Sequence, residues 1–170
     1  MPRTLPFLYL LTLLIVGYTG GTVLYRLSGP GMAETVAVFA DRRTGLAESG
    51  FPWRAAAAFL MFHVLALFFA SHAALRHAVM FLAGIRTVYF GLASAFLISQ
   101  ESAMKFYALW WFPGQLLLTV LFILFCMNLA PPFMLKRHFG RDRQAAALRI
   151  AVLSLIVCAG EMGLFYFLAN

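Results

Sequence analysis

Three polar residues stand almost alone in apolar sequence. Arg86 lies between Phe81-Leu82-Ala83-Gly84-Ile85 and Thr87-Val88-Tyr89-Phe90-Gly91, Gln115 follows Pro113-Gly114, and Glu161 sits inside the last apolar run. An arginine in hydrocarbon costs about 2.5 kcal/mol or more, so it needs a partner or a route to the headgroups. Glu161 is the candidate partner. A cation and a carboxylate at membrane depth could hold a polar substrate, relay a proton or simply fix helix register. Gln115 falls at intermediate depth, so an Arg86–Gln115–Glu161 cluster is geometrically accessible.

Other chemical signatures are missing. The chain has no glycine-rich phosphate loop, no Cys-x-x-Cys, no histidine pair at i, i+4 with a carboxylate and no nucleophile elbow. His63 stands alone and reads as a hydrogen-bonded core histidine. His72 and His77 have weak metal spacing, and Cys126 and Cys158 lie in apolar segments as small hydrophobes. No catalytic, cofactor-binding or metal site is expected. One intramembrane carboxylate allows a proton-coupled carrier, but no repeat relates the two halves of the chain.

The elements that must position these residues are membrane helices. The 170 residues are 63% hydrophobic and 11% charged, with a mean hydropathy of +0.87; this balance excludes an ordinary soluble domain. The net charge of +7 resides mostly at segment ends, where membrane orientation demands it, so nucleic acid is not an expected partner. The apolar runs predict an all-α polytopic bundle forming one integral membrane domain. Its five transmembrane helices are expected at about 5–26, 55–71, 78–98, 108–130 and 145–168, with an outer loop at 27–53.

Within that loop, Ala33 to Ala40 is apolar enough for a short helix lying on the membrane. In the first helix, Gly17-x-x-x-Gly21 permits close backbone approach, either to a partner protein or, the favoured reading, inside the bundle. In the third, Gly84, Gly91 and Ala95 share one face while Arg86 and Tyr89 lie nearly opposite, which predicts a central helix. The cluster Phe106-Tyr107-Ala108-Leu109-Trp110-Trp111-Phe112 suits the membrane interface, and Pro113 then suits the first turn of the fourth helix. A single helix kinked at Pro113 is the alternative. The basic stretch Lys136 to Arg143 fixes orientation: amino terminus and Arg76 connection in the cytoplasm, the 27–52 loop and carboxyl terminus outside.

In order and spacing, Ile85-Arg86-Thr87-Val88-Tyr89-Phe90-Gly91, Trp111-Phe112-Pro113-Gly114-Gln115 and Glu161 resemble the stage II sporulation protein M family. Carried onto this chain, the matching positions are Arg86 with Gly91, Pro113 with Gln115, and Glu161. Gly114 between proline and glutamine, arginine in place of lysine, and a shorter outer loop and tail depart from the pattern. The resemblance implies a non-enzymatic scaffold of the bacterial cytoplasmic membrane, which in sporulation localises partners such as peptidoglycan hydrolases. Membrane lipids, other membrane or cell-wall proteins and a second copy of the chain are the partners so implied. The competing class is a small transporter or channel component built around Arg86 and Glu161. A cavity reaching that site would favour transport, and a closed bundle with an outer surface patch would favour scaffolding.

Overall fold

The computed structural model describes residues 4–28, 30–41, 53–100, 104–131 and 142–169. It is a bundle of helices: α1 (Leu5–Ser28), α2 (Pro30–Ala40), α3 (Trp53–Ser71), α4 (Ala78–Ser99), α5 (Met104–Leu129) and α6 (Arg143–Ala169). All but α2 are long and apolar enough to cross a membrane. Of the spanning stretch of α4, 61% is buried, against 11% for α1 and 22% for α3 and α6, so α4 is the central helix. α5 is half buried at 50%, and α1, α3 and α6 keep most of their residues out of the interior. That suits a hydrocarbon solvent, in which association depends on packing rather than on the exclusion of water.

Small residues set the closest contact. A Cβ on Gly21 would collide with the Val88 carbonyl and lie 2.6 Å from the Leu92 nitrogen, and one on Gly91 would lie 2.8 Å from the carbonyl carbon of Tyr18. Gly17 faces Thr87 in the same seam. The Gly17-x-x-x-Gly21 pattern is therefore used inside the bundle, between α1 and α4. Gly84 takes no part in such packing: a Cβ there would meet nothing within 4 Å. It lies seven residues, about two turns, before Gly91, and only the later glycine faces the α1 backbone.

The described first part of the 27–53 segment is helical. α1 runs on to Ser28, and α2 begins at Pro30, whose ring suits the start of a helix. α2 packs on α4 and touches α1 and α3, burying Ala37 completely; it is held by the bundle rather than lying apart on a membrane surface. Arg42 to Pro52 and Pro132 to Arg141, with most of the basic cluster, fall outside the described residues.

α5 starts well before Pro113. A π-helical turn, Tyr107–Trp111, joins Met104–Phe106 to Phe112–Leu129, and the Phe112 N–H bonds to the Tyr107 carbonyl. Proline lacks the N–H that an uninterrupted α-helix would use at position 113, and the wider turn absorbs the mismatch. Pro113 stands in the first turn of the α-helical stretch Phe112–Leu129, as expected, and the π turn carries the helical path further back to Met104. The turn also directs Tyr107 and Trp111 into the core.

Candidate functional site

The central helix presents Arg86 to α5 and α6. Its Nη2 donates to Gln115 Oε1 at 2.6 Å, and Gln115 Nε2 donates to Glu161 Oε1 at 3.4 Å. All three side chains are buried. The glutamine thus bridges a cation on α4 and a carboxylate on α6. The guanidinium carbon also lies 5.9 Å from the Phe62 ring centre and 5.7 Å from that of Tyr89, where ring faces offset part of the lost hydration.

Gly114 makes room for this arrangement. A Cβ there would stand 2.9 Å from Glu161 Cδ and 3.0 Å from its Oε1. Gly114 is therefore the residue against which the carboxylate rests.

A second carboxylate was not singled out by sequence. Asp41, at the end of α2, is 3% exposed and accepts a hydrogen bond from Trp111 Nε1 at 3.2 Å. Tyr89 Oη donates to the Ala37 carbonyl at 3.4 Å, fixing α2 further. Glu161 and Asp41 both act electrostatically on Arg86. In the sequence, Asp41-Arg42-Arg43 reads as mixed loop charge; the available signal was its place at the end of an apolar run, where a helix can carry it inward.

Beside this cluster lies a cavity of about 600 Å³. Asp41, Arg54, Arg86 and Gln115 belong to its polar lining, and Ala58, Phe59, Phe62, Leu92 and Leu118 supply apolar wall. Leu24, Met61 and Ile85 belong to its lining and are also exposed on the outside of the bundle. Its mouth therefore opens sideways, toward where lipid would lie. Among the described residues Arg86 makes its one hydrogen bond to Gln115, although a guanidinium carries five N–H donors.

His63 is separate from this site. Its Nδ1 faces the Phe59 carbonyl at 3.0 Å, its Nε2 faces Ser154 Oγ at 3.3 Å, and Phe122 and Phe125 pack on its ring. It is a satisfied core side chain. His72 and His77 are exposed at the α3–α4 connection, and Cys126 and Cys158 are buried free thiols. No group of three metal-ligating side chains occurs among the described residues.

No protein-family model, characterised protein or solved structure matches this chain. The functional reading therefore rests on the site's geometry.

Proposed function

We propose that this multi-pass membrane protein binds a small amphipathic molecule in the lateral cavity and serves as a transporter or channel component, not as an enzyme. The observation that carries this reading is the cavity's access to both the outer apolar surface and the Arg86–Gln115 pair. Its volume suits one small ligand. Its walls favour an apolar body, and the remaining Arg86 donors favour an acceptor group such as a carboxylate or carbonyl. The opposing charges of Asp41 and Glu161 disfavour a strongly anionic head. In this proposal the protein resides in a bacterial cytoplasmic membrane, with the ends bearing Arg76 and Arg143 inside.

A photoreactive fatty acid tests the reading with the protein in nanodiscs. Adducts are expected on α3 and α5 residues around Ala58 and Leu118, and Ala58→Trp should fill the space and abolish them. Equal labelling of the Trp variant would overturn the proposal.

A second reading is the scaffold implied by the stage II sporulation protein M resemblance. In its favour, α2 is a folded helix held on α4, with Met32 and Glu34 exposed. Such a fixed face could engage a membrane or cell-wall partner, a peptidoglycan hydrolase among them.

A further inference from the structure

We infer a second binding site, for the phosphodiester headgroup of an anionic phospholipid, at the opposite end of the bundle. There a cavity of about 750 Å³ lies among α3, α5 and α6. Arg76, Arg143, Asn128 and Gln144 supply its polar edge, with Phe125 and Leu148 among the apolar walls. Among the described residues lining it are two arginines and no carboxylate, whereas in the first cavity Asp41 joins Arg54 and Arg86 in the lining.

Depth points to a lipid. α3 ends at Ser71 and α6 begins at Arg143, so the cavity lies at the limit of the spanning segments, where headgroups meet hydrocarbon. Leu148 is 67% exposed, so an acyl chain can leave the cavity along the outside of α6 while its phosphate stays near the arginines. Basic pockets between helix ends are a recurrent means of holding anionic headgroups. Asn128 spends an amide N–H on the Leu124 carbonyl at 2.8 Å. It can still offer an occupant its second Nδ2–H and its Oδ1 acceptor, the latter suited to a headgroup hydroxyl such as that of glycerol. Asp142 precedes Arg143 in the chain but is not among the lining residues.

The test is lipid binding by native mass spectrometry of the full chain, with phosphatidylglycerol, phosphatidylcholine and inorganic phosphate as separate probes. Phosphatidylglycerol should bind about thirty-fold tighter than phosphatidylcholine, the expectation for two arginines near the headgroup. Inorganic phosphate should compete poorly. The pair Arg76→Gln with Arg143→Gln should remove the preference, read on the fraction that remains folded in phosphatidylcholine. Leu148→Trp, which retains every charge but obstructs the apolar exit, should also lose tight binding. Retention of the preference in either variant, or equal occupancy by inorganic phosphate alone, would overturn the site.

Discussion

Arg86 of α4 and Gln115 of α5 are joined by a 2.6 Å hydrogen bond that fixes which way the glutamine amide points. Arginine can only donate, so the amide oxygen must face it; the amide nitrogen is then left for the Glu161 carboxylate, 3.4 Å away. Removing either ion deprives the other of an opposite charge in a buried site, a loss of up to about 3–5 kcal/mol. Asp41, which also acts on Arg86, reduces that loss for Glu161→Gln. Arg86→Met and Glu161→Gln should each lower thermal stability in detergent, and the double variant should lose less than their sum. Gln115→Leu should cost less than either, about 1–2 kcal/mol, because it removes interhelical hydrogen bonds but no charge. Strictly additive losses for the Arg86 and Glu161 variants would show that the two ions are independent.

Gly114 leads to a more selective expectation. A methyl group there would press on the flexible end of Glu161 rather than on backbone, so the carboxylate can move aside. Gly114→Ala should therefore fold nearly normally while weakening the link from Gln115 to Glu161. In that background, Glu161→Gln should have a smaller effect on unfolding temperature than it has in the unaltered chain. An unchanged effect would mean that the glycine does not position the carboxylate.

The α1–α4 seam separates glycines that are needed from those that are not. Gly21 and Gly91 each face backbone of the opposite helix, whereas Gly20 and Gly84 face open space. Backbone cannot yield as a side-chain end can, so Gly21→Ala and Gly91→Ala should each destabilise by about 1–3 kcal/mol or more. Gly20→Ala and Gly84→Ala should be neutral or slightly stabilising, since alanine is the better helix former. Unfolding temperatures of the four variants decide the matter, and a large loss at Gly84 would contradict the packing described.

These residues also show what sequence can and cannot disclose. The five spans follow from apolar run length, because hydrocarbon requires backbone bonds to be satisfied within each helix. Arg86, Gln115 and Glu161 stand out because isolated polarity in such runs demands partners. Gly84 and Gly91 share a face by periodicity, yet only one meets α1, since the reach of a neighbouring helix is not written in the spacing. Asp41 was hidden for a related reason: its burial depends on α2 folding back onto α4. The π turn at Tyr107–Trp111 is not legible in the sequence because Pro113 suits a helical first turn whether or not a helical segment precedes it, and local sequence does not say which.

Orientation can be read by accessibility. The connection holding Arg141 is expected in the cytoplasm and that holding Arg42 outside, because Lys136 to Arg143 forms the densest positive stretch. Single cysteines at positions 42 and 141, with Cys126 and Cys158 replaced by alanine, can be treated with an impermeant thiol reagent. In intact cells position 42 should be labelled and position 141 should not. The reverse pattern would invert the arrangement, placing the cavity beside Arg86 at the cytoplasmic end.

The two functional readings differ in what they require of the segment between α1 and α3. Exchanging all of 32–48 for a Gly/Ser linker would not separate them, because it removes most of α2 together with Asp41, which accepts from Trp111. A narrower exchange of 42–50 leaves α2 and both carboxylates in place. If the protein handles a ligand in its lateral cavity, this exchange should preserve photolabelling, whereas Arg86→Met should reduce labelling even in the fraction that remains folded. If it acts as a scaffold through the outer segment, the same exchange should abolish recovery of the partner in mild detergent while labelling plays no part. Loss of partner recovery, combined with labelling that ignores both Arg86→Met and Ala58→Trp, would favour the scaffold and leave the cavity as packing space.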